Sequence, residues 1–375
     1  MVTAKLLVGL MSGTSMDAID AALVHCGPDG VELIDCQACP VSPALRDEIH
    51  QLSHPGDAEI ERLGRLDRKL GQAFADVTLQ LLEKAGVEAS EVHGIGCHGQ
   101  TVRHHPPSAG DSTESAFTLQ IGDPNTIAEI TGIDTVADFR RRDIAAGGEG
   151  APLAPAFHSA AFSSADHSRA IVNIGGIANI TLLQEESVTG FDSGPGNTLM
   201  DQWILQVRGE HYDRDGAWAA EGSVQEPLLN ALQQHPYLAL SAPKSTGKEA
   251  FNLAWLQSQL DALPAMEPGD VQATLAQYTA NTIYDALRSG PGAIDQVFVC
   301  GGGAANSDLM RRLYEKLDPV YLGTTAELGC DPDWVEAAAF AWLAWRRLEQ
   351  LSGNIPGVTG ASGERILGAV YAGAK

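Results

Sequence analysis

The chain has 375 residues, 44% of them hydrophobic and 19% charged, a globular balance with material for two cores rather than one. Its 24 Lys and Arg face 48 Asp and Glu, a formal charge of −24, which excludes nucleic acid, anionic membranes and other polyanions as bulk partners. An anionic ligand must then be met locally, by backbone amides, a metal ion and a few placed cations.

The N-terminal residues run into Leu6-Leu7-Val8-Gly9-Leu10-Met11 without a basic n-region, a long apolar h-region or a cleavage site. No stretch approaches the length of a membrane span, so a cytoplasmic protein with no membrane partner is expected. That apolar run meets Ser12-Gly13-Thr14-Ser15 and then Ile19-Asp20-Ala21-Ala22-Leu23-Val24, which predicts a strand, a small-residue turn and a returning strand. Residues 57–85 carry Ile60, Leu63, Leu66, Leu70, Phe74, Val77, Leu81 and Leu82 at the spacing of an amphipathic helix. Gly94-Ile95-Gly96-Cys97-His98-Gly99 satisfies GxGxxG, but Gln100 to Pro107 follows and cannot open a helix, so the dinucleotide fingerprint is rejected. Residues 103–116, with Pro106-Pro107, read as an exposed loop. Arg140-Arg141-Arg142-Asp143 precedes Gly147-Gly148-Glu149-Gly150-Ala151-Pro152; this dense polar stretch is either a solvated turn or holds an arginine for bidentate carboxylate binding.

A second hairpin is predicted from Ala170–Ile174, the turn Gly175-Gly176 and Ile177–Leu183. Asp192 ends a short apolar run within Gly190-Phe191-Asp192-Ser193-Gly194-Pro195-Gly196-Asn197, a segment too rich in glycine for a helix. No Walker A motif is present, because Lys248 is followed by Glu249 and the upstream glycine is missing. Residues 271–288 carry Val271, Leu275, Tyr278, Ile283 and Leu287 on a helical period. The third strand-and-turn unit is Gln296–Cys300, then Gly301-Gly302-Gly303, then a helix with Leu309, Met310 and Leu313. Residues 335–348 form a buried, Ala-rich helix that returns the chain toward its beginning. Strands and helices mixed throughout make an α/β protein.

The six cysteines are few, and Cys36-Cys39 is the only CxxC, with no second pair and no nearby His to complete a zinc site. His98, His104 and His105 also match no zinc spacing; substrate hydrogen bonding by His98 and a purely structural histidine remain open. Two Gly/Ser/Thr hairpin turns and a strand–GGG–helix unit are together more specific. Glycine lets the backbone approach a phosphate, and the turn amides and hydroxyls donate to it. The set is expected of a duplicated, two-lobed ATPase. Asp17 or Asp20, beside the first turn, is a candidate for Mg²⁺, held directly or through water. Asp192 is either a turn residue or the base that accepts a nucleophile's proton.

Gly9-Leu-Met-Ser-Gly-Thr-Ser-Met-Asp17, His98-Gly99-Gln100-Thr101, Gln120-Ile121-Gly122 and Asp138-Phe139-Arg140 follow one another in order. After them come Asn173-Ile174-Gly175-Gly176-Ile177-Ala178-Asn179, Phe191–Asn197, Cys300–Gly303 and the Glu336–Trp342 helix. The whole resembles the anhydro-N-acetylmuramic acid kinase family, of the sugar kinase, heat-shock chaperone and actin superfamily. The resemblance implies a two-lobed actin-like (ribonuclease H-like) fold with an interdomain cleft. Its expected division is residues 1–130 plus 350–375 in the first lobe and 131–349 in the second. It also implies an ATP-dependent reaction that phosphorylates O6 of 1,6-anhydro-N-acetylmuramic acid while water attacks C1, yielding N-acetylmuramic acid 6-phosphate for cell-wall recycling. By the resemblance Asp192 is the base, and Gly13, Thr14, Ser15, Met16, Asp17, Ala18, Ile19 and Asp20 form the ATP phosphate loop. Gly175 and Gly176 form a second phosphate turn, and Gly301, Gly302 and Gly303 part of the adenosine wall. His98, Gln100, Arg140 and Glu336 become sugar contacts, Mg²⁺ the metal, and a homodimer the assembly.

Two departures stand out: Ala18 where glycine is expected, strained if its φ is positive, and Glu149 where glutamine is expected, adding charge near a carboxylate-bearing sugar. The rivals are a kinase for another sugar and a non-catalytic nucleotide-binding regulator of the same fold.

Overall fold

A computed structural model describes residues 4–13, 16–28, 30–109, 115–185, 187–242 and 244–374. The chain divides into two compact units, Met1–Ala161 with Trp334–Lys375, and Phe162–Asp333.

The first unit holds β1 (Lys5–Met11), β2 (Ala18–Gly27), β3 (Gly30–Pro40), β4 (Gly94–Cys97), β5 (Gln100–His105), β6 (Phe117–Ile121) and β7 (Thr135–Ala137). Its main sheet runs β7-β4-β1-β2-β3, with the C-terminal strand Ala369–Tyr371 paired outside β7. β1 to β3 are an antiparallel meander, whereas β1, β4 and β7 are parallel. The parallel three therefore end on one edge, at Met11, Cys97 and Ala137, where ligands of α/β sheets are commonly met. β5 and β6 form a separate hairpin, so residues 103–105 belong to a strand rather than to the expected loop.

One face of the sheet carries the Glu59–Ala85 helix, whose Leu66, Leu70, Phe74, Val77 and Leu81 are buried, each contributing roughly 1.5–3 kcal/mol over exposure. Ile60 departs from the expected stripe: it lies in the first turn and is 82% exposed. The Val335–Leu348 helix packs on β1, β2 and β4. It comes close because glycine faces it: a Cβ on Gly9 would stand 1.8 Å from the carbonyl of Ala337, and one on Gly96 2.0 Å from that of Phe340. β7 is bonded to β4, and this helix lies on β1, so both belong with the first unit. The unit boundaries thus fall at 161/162 and 333/334 instead of 130/131 and 349/350.

The second unit holds β8 (Arg169–Ile174), β9 (Ile177–Gln184), β10 (Ser187–Pro195), β11 (Gln296–Cys300) and β12 (Tyr321–Thr324), in sheet order β10-β9-β8-β11-β12. Again an antiparallel meander, β8 to β10, adjoins parallel strands, β8, β11 and β12. The Pro268–Ser289 helix is buried along most of its length, through Val271, Leu275, Tyr278, Ile283 and Leu287. It packs in one core with Val172, Ile180 and Phe191 of the sheet. Asp192, expected in a turn, lies within β10 at a bulge: it is the register partner of Asn179, while Gly194 takes Ala178.

Candidate active site

In the first unit, each parallel strand delivers an expected residue to the same sheet edge. β1 leads to Ser12 and Gly13, β4 to His98 and Gln100, and β7 to Asp138 and Arg140. The Ser12 hydroxyl donates to Oε1 of the buried Gln100 at 2.7 Å, tying the first loop to the β4–β5 corner. Thr14 and Ser15 lie outside the described residues. Met16 has φ 55° and its N–H donates to the carbonyl of Gly13 at 3.1 Å. Ala18 opens β2 and is not among the residues of positive φ, so alanine is unstrained there.

His98 is 5% exposed. Its Nδ1 lies 2.8 Å from the carbonyl of Gly99, and its Nε2 accepts from Nε of Arg140 at 3.0 Å. Nε2 as acceptor leaves the proton on Nδ1, so the ring is a neutral imidazole. Burial, and then the Arg140 charge, hold its pKa well below the ordinary histidine value. The Arg140 guanidinium, lowered by desolvation to about 10, still carries its charge at neutral pH, with Glu336 and Asp143 supporting it. Its Nη1 donates to the carbonyl of Gly150 at 2.9 Å. Two of its three nitrogens are therefore anchored, which presents Nη2 in one orientation.

The Gly147–Pro152 stretch folds around Asp143, which is fully buried. Oδ2 accepts from the Gly150 amide at 2.9 Å, and Oδ1 from Nδ2 of Asn354 at 2.7 Å and Oγ1 of Thr359 at 2.8 Å. Asp143, singled out in sequence only as part of a polar run, thereby holds the carbonyl that holds Arg140. Glu149 accepts from the Ser108 hydroxyl at 2.6 Å. Glu336 stands in the first turn of the Val335–Leu348 helix.

For a divalent cation, Asp17 is 63% exposed and paired with Arg46 at 3.0 Å, while Asp20 is half-buried in β2. Among the described residues no three His, Cys, Asp or Glu side chains converge to hold a metal. The residues fit a cation that takes most of its ligands from phosphate and water, as Mg²⁺ does.

In the second unit, the Gly175-Gly176 turn is locked. The amides of Gly196 and Thr198 donate to the carbonyl of Gly176 at 2.9 and 3.1 Å, and that of Asn197 to Gly175 at 2.8 Å. A Cβ on Gly196 would stand 2.3 Å from the Gly175 carbonyl, so glycine is required for this approach. Gly301 has φ 77°, and side chains at Gly301 or Gly303 would run into Asn173 and Ile174 at the end of β8. The expected glycines of this unit thus converge on the carboxyl ends of β8 and β11.

Asp192 lies beside them on β10. Its Oδ2 accepts from the Thr246 amide at 2.9 Å and the Ser245 hydroxyl at 3.0 Å, and Oδ1 is left without a hydrogen bond from the described residues. Burial raises its carboxyl, against the pull of the Thr246 and Ser245 hydrogen bonds and the Lys244 charge. Lys248, two residues on from Thr246, lies over the phosphate-type turn: a Cβ on Gly176 would be 2.9 Å from its Cε and 3.7 Å from its Nζ. Lys244 to Lys248 were missed as site residues in the sequence; the Lys-Ser-Thr-Gly-Lys run among small polar residues was the available signal.

A family model described as anhydro-N-acetylmuramic acid kinase matches residues 5–373. The anhydro-N-acetylmuramic acid kinase of Shewanella loihica is 51% identical over 369 residues, covering 98% of each chain. That of Shewanella pealeana is 53% identical over 367 residues, covering 97% of this chain and 98% of its own. Among solved structures, the activator of 2-hydroxyisocaproyl-CoA dehydratase from Clostridium difficile with bound ADPNP aligns over 92% of this chain and 96% of its own, at 11% identity and TM-score 0.47.

Proposed function

This chain belongs to the anhydro-N-acetylmuramic acid kinase family, and on that premise we propose how its residues share out the reaction. The protein phosphorylates 1,6-anhydro-N-acetylmuramic acid at O6 with ATP and opens the anhydro ring hydrolytically, giving N-acetylmuramic acid 6-phosphate and ADP in cell-wall recycling.

Asp192 is the base. A water gives its proton to Oδ1 and its oxygen bonds to C1; the C1–O6 bond breaks toward O6. O6 then bonds to the γ-phosphorus, and the bond to the β,γ-bridging oxygen breaks with its electron pair left on ADP. The leaving oxygen of one event is the nucleophile of the other, so a single proton acceptor serves both. The observation that carries this reading is the Asp192 carboxylate, with Oδ2 held by two donors and Oδ1 without a hydrogen bond from the described residues.

Arg140, anchored by His98 and Gly150, supplies a fixed cationic fork for the sugar's carboxylate or ring oxygens. Gln100 and Glu336 complete the sugar contacts. Neutral His98, with both ring nitrogens engaged by Gly99 and Arg140, serves to orient Arg140. The Gly13–Asp20 loop and the Gly175-Gly176 turn take the phosphates, with Lys248 as a cation beside the latter, and Gly301 to Gly303 line the adenosine. Mg²⁺, with Asp20 or Asp17 as its protein ligand, supplies neutralisation of phosphate charge. The setting is the cytoplasm and the assembly a homodimer, as the family resemblance implies.

The test is turnover in ¹⁸O-labelled water with Mg²⁺ and ATP, with Asp192→Asn in parallel. Label at C1 of a 6-phosphorylated product, with kcat lower by roughly 10²–10⁴-fold in the variant, is expected. Phosphorylation without label would make the protein an ordinary hydroxyl kinase.

A further inference from the structure

We propose that Lys244, Ser245 and Thr246 form a positioning clamp for Asp192, which holds Oδ2 so that Oδ1 alone receives the proton of the attacking water. The inference rests on the reading of Asp192 as base and deepens it.

Geometry carries it in three steps. β10 bulges directly after Asp192, which keeps Asn179 as its register partner while Ser193 is the extra residue, and the bulge is pinned because the Ser193 hydroxyl donates to the carbonyl of Ala178 at 3.1 Å. Both main-chain groups of Asp192 are then taken by one neighbouring segment. Its N–H donates to the carbonyl of Lys244 at 3.1 Å, and its carbonyl accepts from the Tyr237 hydroxyl at 2.7 Å. Finally the side chain is fixed by Thr246 N–H and Ser245 O–H, both on Oδ2. With that oxygen occupied by two donors, the free lone pairs that meet a proton belong to Oδ1.

Charge follows the same design. Lys244 Nζ is held by the carbonyls of Tyr237 and Leu238, each at 3.4 Å, and lies 4.6 Å from the Tyr237 ring centroid. No carboxylate among the described residues pairs with it, so its charge favours ionised Asp192 without binding and blocking it. Burial lowers the Lys244 ammonium, which the Asp192 charge partly restores. Tyr237 is the other titratable group here, and burial keeps its hydroxyl protonated. From β9 the partner is Asn179, and from the Pro268–Ser289 helix Thr282 stands beside Gly194; neither titrates.

The experiment compares pH profiles of kcat/KM and kcat for the parent, Ser245→Ala, Ser245→Thr, Lys244→Met and Asp192→Asn in the full chain. Ser245 is exposed, so its truncation leaves the core intact. Removing the hydroxyl or the ammonium takes away a group that lowers the Asp192 carboxyl. The acid limb should therefore move up by about half to one pH unit, for one hydrogen bond of about 1 kcal/mol. The pH-independent kcat should fall roughly 3- to 30-fold, with both KM values within about twofold, as expected when only positioning of a base is lost. Ser245→Thr should restore both readouts. Parental pH profiles and kcat in Ser245→Ala and Lys244→Met, with Asp192→Asn inactive, would overturn the clamp and leave the base standing. An active Asp192→Asn would overturn the base reading itself.

Discussion

Arg140 and His98 form one polar unit: Nε of the guanidinium donates to Nε2 of the imidazole at 3.0 Å, and the ring's other nitrogen lies against the carbonyl of Gly99. Burial first, and then the Arg140 cation against its acceptor nitrogen, hold the histidine neutral. His98→Ala should free the guanidinium and raise KM for the sugar about 10- to 100-fold, the loss of about 1.5–3 kcal/mol for a hydrogen bond to a charged group. Because the His98 pKa lies well below the ordinary value, the parent's pH profile should show no limb from it between pH 6 and 8. Steady-state kinetics across that range decide the matter, and a lost limb near neutrality in the variant would contradict the assignment.

Lys248 should matter to the nucleotide alone. Lys248→Met keeps the apolar stem over Gly176 and removes the charge. KM for ATP should rise by about fivefold, an exposed cation contributing on the order of 1 kcal/mol to phosphate binding, with KM for the sugar unchanged. Equal effects on both substrates would place the lysine elsewhere in the mechanism.

Asp143 should act through structure. It accepts from Gly150, Asn354 and Thr359, and an amide at this position offers a single acceptor oxygen. Asp143→Asn is expected to lower stability by about 2–4 kcal/mol, as a broken buried network does. KM for the sugar should rise with it, since the Gly150 carbonyl anchors Arg140. Denaturant unfolding and kinetics on the same preparation test both halves.

Two glycine substitutions should move stability in opposite directions. Gly96→Ala drives a methyl into the Phe340 carbonyl, at 2.0 Å before relaxation, and should cost about 3 kcal/mol or more through overpacking. Gly64 lies exposed within the Glu59–Ala85 helix with nothing within 4 Å of its would-be Cβ. Gly64→Ala should stabilise by about 0.5–1 kcal/mol through helix propensity. Thermal unfolding of the pair reads this directly.

Much of the fold was legible because its signals are local. Hydrophobic period and turn chemistry predicted the strands at 6–11, 19–24, 170–174, 177–183 and 296–300 and the helices at 57–85, 271–288 and 335–348, and the observed elements lie there within a few residues. What failed was also local in kind. Residues 103–105 are polar yet pair with β6, because hairpin bonding outweighs composition. Asp192 looked like a turn residue because glycine and proline surround it, but a bulge lets a strand carry such a sequence.

The order of motifs along the chain determined the family and the reaction class, since each motif is a short run whose backbone demands show in its glycines. Only the tertiary structure decided the state and orientation of those groups. That His98 is neutral depends on its burial and then on Arg140, 42 positions away, and the hold on Asp192 comes from residues 53 and 54 positions on. Proton affinity and side-chain direction are set by burial and by partners distant in sequence, so they become definite when the sheet edges bring those partners together.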